Sequence, residues 1–176
     1  MAENLELFAK RFSTRGYQEE KLTKEMLDQV LTAGLQAPTA ANHQEVHFTV
    51  ADRENPVLAE IEEEKNRLRG GAKPARNFYF DAPHVIFLSA DKNFFWSPLD
   101  AGIACENIVL AAESLGLGTL IIGCVKDALR GEREAEFAKK LAFPEGYEYE
   151  IAIAIGYKDF VKDPHTYNYD THVSYI

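Results

Sequence analysis

The sequence lacks the features that define several classes of protein. Only two cysteines, Cys105 and Cys124, occur among 176 residues, so we expect reduced core thiols rather than a disulfide framework. Basic residues are the minority: 19 Lys plus Arg face 28 Asp plus Glu, for a net charge of -9. A general nucleic-acid binder needs a basic surface, so that class is excluded. Because no basic stretch followed by an apolar run opens the chain, no secretory signal is predicted and we expect a cytoplasmic protein.

Uninterrupted hydrophobic runs are also missing. The longest apolar stretch, residues 97–117, contains three acidic residues: Asp100, Glu106 and Glu113. A membrane span tolerates such residues badly, so no membrane partner is expected. The stretch instead predicts a long buried central helix with Ser97 as its cap, Pro98 in its first turn, and Gly116 or Gly118 at its end.

Around that helix, hydrophobic periodicity and turn residues predict a single α+β domain spanning 1–176. Further helices are predicted at 4–11, at 23–37, after Asn55-Pro56 and at 132–141. Strands are predicted at 46–51, 84–90, 119–122 and 149–155. Residues 69–75 are expected to form a loop. Residues 157–176 are polar and aromatic with little periodicity, which predicts a C-terminal arm that lies on another surface.

Several catalytic motifs are absent. The sequence contains no HExxH, no CxxC, no close cluster of histidines and no GxSxG, so neither a metal site nor a covalent nucleophile is predicted. Gly116, Gly118 and Gly123 follow a predicted helix and lead into a strand, which is the reverse of a dinucleotide-binding fingerprint. No catalytic side chain is therefore assigned.

Residues 10–17 form a basic segment in an acidic chain. Arg11 and Arg15 stand four residues apart, with Ser13 between them and no acidic residue inside the segment. Guanidinium groups, a hydroxyl and turn amides together can hold a phosphate through charge-assisted hydrogen bonds. The alternative is a solvated loop that follows a helix.

Residues 37–44 join a predicted helix to a predicted strand. Their small side chains let the backbone approach a flat ligand closely, while Asn42 and Gln44 offer amide donors and acceptors. The alternative is a turn in which Asn42 bonds its own backbone.

These segments and four others resemble, in order, the nitroreductase-like flavoprotein family. The matching motifs are Arg-x-Ser-x-Arg at 11–15, Ala-Pro-Thr-x-x-Asn-x-Gln at 37–44, Ala82-Pro83, Ala-Glu-Ser-Leu-Gly-Leu-Gly-Thr at 112–119, Phe-Pro-Glu-Gly-Tyr at 143–147, and Gly156-Tyr157. The resemblance implies a mixed sheet around a long central helix, an intertwined homodimer and FMN at each subunit interface. It also implies electron transfer from NADH or NADPH to nitroaromatic compounds, quinones or related small acceptors in two half-reactions.

The resemblance also implies which residues contact FMN. Arg11 and Ser13 would hold the phosphate, Phe12 would contribute backbone, and Arg15 would lie near the pyrimidine edge. Five residues would line the cofactor largely from the partner subunit: Pro38, Thr39, Ala40, Asn42 and Gln44. Ile122 and Gly123 would present backbone to the ring, and Asn66 and Arg69 have the spacing of another flavin-edge pair. The C-terminal arm lacks the arginine that often closes the phosphate site, which leaves Lys162 or His165 as candidates.

Two other functions fit the same residues. A fold relative could use FMN for another reaction, such as dehalogenation or flavin breakdown. A flavin-binding redox module could lack useful turnover. Because a flavin carries the redox chemistry while the protein supplies orientation and electrostatics, the absence of a catalytic triad fits all three.

Overall fold

Helices and strands alternate along residues 5–176, the part of the chain that the computed structural model describes. The helices are α1 (Glu6–Lys10), α2 (Lys24–Leu35), α3 (Pro56–Leu68), α4 (Ser97–Ser114), α5 (Lys126–Leu129), α6 (Glu134–Lys140) and α7 (Tyr169–His172). The strands are β1 (His47–Asp52), β2 (His84–Asp91), β3 (Leu117–Ile122) and β4 (Tyr147–Tyr157). A 3-10 turn covers Ala40–Asn42.

The strands form one four-stranded sheet in the order β1-β2-β4-β3. All three pairings are antiparallel, so the sheet differs from the mixed sheet that the resemblance implies. Its parallel component, within the described residues, is the isolated bridge between Ser13 and Thr119. The sheet is antiparallel because β2 and β4 each run in the direction opposite to both of their neighbours. The α+β class itself is confirmed.

Helices cover both faces of the sheet. On β4, Ile153 and Ile155 point toward α2 and α4, whereas Ala152 and Ala154 point toward α3, α5 and α6. Successive side chains of a strand face opposite sides, and here both sides are fully buried. The alternation that predicted this strand is therefore an alternation of large and small side chains.

The central helix, α4, begins where predicted and ends at Ser114, with Gly116 just beyond it at φ +76°. The prediction of Ser97 as its cap is wrong, since Trp96 occupies that position. The Ser97 hydroxyl instead donates to the carbonyl of Asp91, at 2.8 Å. The helix is not enclosed on every side either, because Leu99 is 55% exposed in the single chain.

The remaining elements follow the sequence closely. Thr23 caps α2 by accepting from the amide of Met26, and Asn55 caps α3 by accepting from the amide of Val57. The first helix was predicted to begin at Asn4, which lies outside the described residues. The short α5 was not predicted, because four residues carry too little periodicity to identify a helix.

The last residues, 161–176, are exposed throughout and contain only the single turn α7. That residues 157–176 form an arm lying on another surface stays a prediction. Within residues 5–176, no helix combines the length and the apolar character needed to cross a bilayer.

Candidate functional site

A pocket of about 340 Å³ opens where β3 ends. Its wall combines the strand end, two aromatic rings and two arginines. The lining residues are Arg15, Pro74, Arg76, Asn77, Phe78, Phe80, Leu120, Ile121, Ile122, Gly123 and Cys124. Among the sequence-predicted residues, Arg15, Ile122 and Gly123 therefore meet here although they lie more than one hundred residues apart.

Guanidinium groups surround the aromatic rings of this pocket. Arg15 and Arg76 place their Cζ atoms 6.0 and 5.7 Å from the centroid of Phe80, and Arg69 lies 5.8 Å from that of Phe78. Arg76 also donates to the carbonyl of Arg15, at 2.9 Å. None of the ion pairs found among residues 5–176 involves these three arginines. Their positive charge is available to an anionic ligand.

The basic segment lies along the free edge of β3. Ser13 forms its bridge with Thr119, and the amide of Thr14 donates to the carbonyl of Thr119, at 2.8 Å. This contact requires a glycine on the strand, since a Cβ at Gly118 would lie 2.6 Å from the Thr14 hydroxyl. Thr119 precedes Ile122 by three residues, or about 10 Å of strand. The segment and the pocket therefore form one continuous surface.

The end of β3 presents backbone to the pocket. The Thr119 carbonyl faces away from β4, toward Thr14, and because alternate strand residues face the same way, the Gly123 N–H is also expected to face away from β4. The Gly123 carbonyl accepts from the Lys126 amide at 3.2 Å. A Cβ at Gly123 would meet only the Ile151 side chain, at 3.6 Å, and so the fold itself does not require a glycine there. A ligand that approaches the backbone closely would require one.

Asn66 and Arg69 lie beside the pocket. Asn66 lines an adjoining cleft of about 440 Å³ that shares Pro74, Arg76 and Asn77 with it. The Asn66 side-chain oxygen is buried and has no partner among the described residues.

Arg76, Phe78 and Phe80 are lining residues that the sequence analysis missed. The sequence carried one usable signal, since residues 69–76 contain three basic residues and no acidic one. Residues 69–75 are predicted as a loop, and a cofactor contact in that stretch is assigned to Arg69 alone.

The turn at 38–44 lies apart from the pocket within one chain. The amide of Ala40 donates to Asp100 at the start of α4, at 2.9 Å. The amide of Gln44 donates to the Thr39 hydroxyl, and its side chain donates to Asn42. Pro38 is exposed, and none of the turn residues lines the pocket of Arg15.

A buried pair of acidic residues underlies this turn. Glu45 and Asp100 are 3% and 2% exposed, and neither carboxylate oxygen of Glu45 has a hydrogen-bond partner among the described residues. Burial, reinforced by the neighbouring Asp100, raises the pKa of Glu45. Asp100 thus holds the turn against α4 through the Ala40 amide, while the ionised form of Glu45 is unfavourable at its position.

The beginning of the C-terminal arm returns to the basic segment. Phe160 packs on Phe12 with centroids 5.6 Å apart, and the Lys162 ammonium lies 5.6 Å from the Phe160 ring. Lys158 lies 5.7 Å from Phe12 but is paired with Glu113. Of the two predicted candidates, Lys162 is placed near Phe12, whereas His165 contacts Tyr167.

Comparison with known proteins gives one consistent result. The sequence model described as "Nitroreductase family" matches residues 8–157. A Methanothermobacter thermautotrophicus protein is 33% identical over 136 residues, which is 73% of this chain and 66% of that protein. The Bacillus subtilis protein "FMN reductase [NAD(P)H]" is 30% identical over 65% of this chain and 51% of its own length.

Two solved structures share the whole fold. A nitroreductase with bound FMN from Desulfitobacterium hafniense superposes with a TM-score of 0.88 at 29% identity, covering 100% of this chain and 99% of that one. Another FMN-bound nitroreductase, from Bacteroides fragilis, has a TM-score of 0.89 at 25% identity and covers 100% of both chains.

Proposed function

Since the chain belongs to the nitroreductase family, we propose that it is an FMN-dependent NAD(P)H oxidoreductase that passes electrons to nitroaromatic compounds, quinones or related small acceptors. The observation that carries this proposal is the pocket at the end of β3, where aromatic rings, unpaired guanidinium groups and free backbone meet.

The residues of this pocket fit FMN. Its volume of about 340 Å³ lies in the range of small-molecule sites, which is about 300–1,000 Å³. Phe78 and Phe80 offer apolar surface to a flat ring, and Gly123 leaves the strand end open to close approach. We propose that Arg11 and Ser13 hold the phosphate, since they belong to the segment that pairs with the edge of β3 at Thr119. The proposed cofactor contacts remain those of the sequence analysis, with Arg76 added to them.

FMN, when bound, supplies the redox chemistry by accepting a hydride from a nicotinamide and passing electrons to an acceptor. The chain supplies orientation and charge. Arg15 lies at the rim of the pocket and makes no ion pair among the described residues, so its guanidinium is free to stabilise negative charge that arrives on the ligand. Arg76 holds the Arg15 backbone in place through its 2.9 Å hydrogen bond.

We further propose that the protein is a homodimer in which the turn at 38–44 completes the partner's site. This turn does not reach the pocket of its own chain, so a contribution from it to FMN binding requires a second copy. Apolar side chains near the turn support this arrangement, since Phe95 is 82% and Trp96 is 46% exposed in the single chain. The cytoplasmic location stays a prediction.

The decisive experiment is anaerobic reduction of the FMN-loaded protein by NADH and by NADPH, followed by a panel of nitroaromatic compounds and quinones. We expect rapid bleaching of the yellow cofactor and reoxidation by members of the panel. Purified protein that takes up no FMN would contradict the proposal. Bleaching without reoxidation by any acceptor would favour a redox module, and dehalogenated or degraded-flavin products would favour a fold relative with another reaction.

A further inference from the structure

The inference concerns Tyr149, a fully buried residue of β4 that the proposed function does not use. Its hydroxyl donates to the carbonyl of Ile122, the last residue of β3, at 2.5 Å. Its ring packs edge-on against Phe87, with centroids 6.4 Å apart. Burial raises the pKa of Tyr149, so the hydroxyl keeps its proton and remains a donor at neutral pH.

The peptide that joins Ile122 to Gly123 is held in two ways. Ile122 is the last residue of β3 that pairs with β4, opposite Ala152, and the Tyr149 hydroxyl adds a hydrogen bond to its carbonyl. The described chain contains no cis peptide, and in a planar trans peptide the C=O and the N–H point in opposite directions. Because the Ile122 carbonyl is held toward the buried Tyr149, the Gly123 N–H is directed away from the core. It belongs to a residue that lines the pocket and that follows the last pair of the β3–β4 ladder.

Tyr149 is itself fixed in place from the other side. The Arg130 side chain donates to the carbonyl of Tyr149, at 2.5 Å. The same guanidinium pairs with Glu148 at 3.1 Å and with Glu150 at 2.7 Å. The Tyr149 hydroxyl therefore has little freedom to release the strand end.

We propose that Tyr149 is a positioning residue, which holds the Ile122–Gly123 peptide so that the Gly123 N–H is preorganised as a hydrogen-bond donor to the ligand in the pocket. This inference rests on the proposed function for the identity of that ligand, FMN. Tyr149 does not touch the ligand and acts only through the peptide. Its effect resembles that of a preoriented backbone donor in other active sites, which needs no reorganisation when charge arrives.

A matched control exists in Tyr79. It is also buried, at 4% exposure, and burial likewise raises its pKa. Its hydroxyl has no hydrogen-bond partner among the described residues. Tyr79→Phe thus removes the same atom as Tyr149→Phe, from a comparable environment, without releasing a carbonyl.

The first test begins with the FMN-free protein. In FMN-free protein, NMR should show the Gly123 amide exchanging readily with solvent, and FMN should then protect it. In Tyr149→Phe the Gly123 amide signal should move while amides elsewhere in β3 and β4 stay in place, and Tyr79→Phe should leave it unchanged. A wild-type Gly123 amide that is already protected without FMN overturns the inference, even if Tyr149→Phe does not fold.

The second test uses FMN binding and the absorption spectrum of the bound cofactor. Tyr149→Phe should weaken FMN binding about three- to tenfold, as expected for one hydrogen bond, and should shift the absorption maximum. It should lower the limiting rate of anaerobic reduction more than it raises the KM for NAD(P)H. A folded Tyr149→Phe protein that matches Tyr79→Phe in all three measurements overturns the inference. Wild-type protein that binds no FMN instead overturns the proposed function, while the amide measurement still decides the peptide orientation.

Discussion

At the residue scale, the arginines divide into two groups by their partners. Arg67, Arg130 and Arg133 pair with glutamates, which fixes them as parts of the folded scaffold. Arg11 and Arg15 make no ion pair within residues 5–176, although the chain has a net charge of -9. A cation left unpaired in an acidic protein retains its charge for an anionic ligand.

Arg11→Ala is expected to weaken FMN binding by about 1.5–3 kcal/mol, the range for hydrogen bonds to charged groups. The physical reason is the loss of a charge-assisted contact to the phosphate. Titration with FMN, followed by fluorescence, measures the change. Arg53→Ala is the control, because Arg53 is also outside every described ion pair but lies in the turn after β1, away from the pocket. Equal affinities of the two variants would remove Arg11 from the phosphate site.

Gly123→Ala should preserve the fold and impair FMN binding. The new Cβ has room within the chain but would lie between the strand backbone and the ligand. We expect a loss of roughly 1–3 kcal/mol in binding, the cost of overpacking a fitted contact. Thermal unfolding without FMN and FMN titration measure the two effects separately.

The comparison is Gly118→Ala, whose Cβ would lie 2.6 Å from Thr14 Oγ1. That substitution should lower the Tm of the FMN-free protein, whereas Gly123→Ala should not. If Gly123→Ala binds FMN as tightly as the wild type, the strand end is not in contact with the cofactor.

At the element scale, the start of α4 and the turn at 38–44 are joined through one carboxylate. Asp100 accepts the amide of Ala40, at 2.9 Å, and Asp100 also lies beside the buried Glu45. Glu45 is the second carboxylate at this junction, and neither of its oxygens has a hydrogen-bond partner among the described residues. Its ionised form therefore destabilises the junction. The folded state therefore favours the protonated form of Glu45.

This arrangement predicts a pH dependence with a definite sign. The pKa of Glu45 is raised in the folded protein, so its protonated form stabilises the fold. This stabilisation is fully present below the pKa of Glu45 in the unfolded chain, about 4.5. That contribution is lost as the pH rises through the folded pKa. The Gln side chain of Glu45→Gln cannot ionise, so the variant should become more stable than the wild type as the pH rises from about 4.5 to about 7.5. Each kcal/mol of difference in unfolding free energy should raise its Tm by about 2–4 °C.

Thermal unfolding at both pH values tests this prediction, with the exposed Glu63→Gln on α3 as control. The control should follow the wild type at each pH. A Tm difference between Glu45→Gln and wild type that is the same at both pH values would show that ionisation of Glu45 does not matter.

At the scale of the whole molecule, the single chain leaves apolar side chains exposed in its C-terminal arm. Val161, Tyr167 and Tyr175 are 78%, 76% and 85% exposed. Several large apolar side chains exposed on one segment favour an interaction of that segment with another surface. Together with the separation of the 38–44 turn from the pocket, they support the proposed homodimer.

Deletion of residues 161–176 should therefore weaken the dimer and reduce FMN affinity at low protein concentration. An obligate interface buries more than about 2,000 Å² in total, and the arm would supply part of that area. Light scattering of the full-length and shortened proteins over a range of concentrations measures the change. A full-length protein that is monomeric while loaded with FMN would contradict the proposal, as would a shortened protein that dimerises equally well.

The sequence by itself determined most of the elements and the basic segment. The start of α3 at Asn55-Pro56, the stop at Gly116 and the alternation on β4 are local signals, because they depend on residues within one or two turns of each other. The basic segment at 11–15 was recognisable for the same reason. The resemblance to a family added the expectation of FMN.

The tertiary structure decided which of these residues meet. Arg76, Phe78 and Phe80 join Arg15 at the end of β3 through the tertiary packing of the loop that precedes β2. The bond between Tyr149 and Ile122 spans 27 positions, and neither residue carries a sequence signal for it. Periodicity specifies the kind of element and the face it buries, whereas distances between remote side chains depend on how the sheet and its helices pack together.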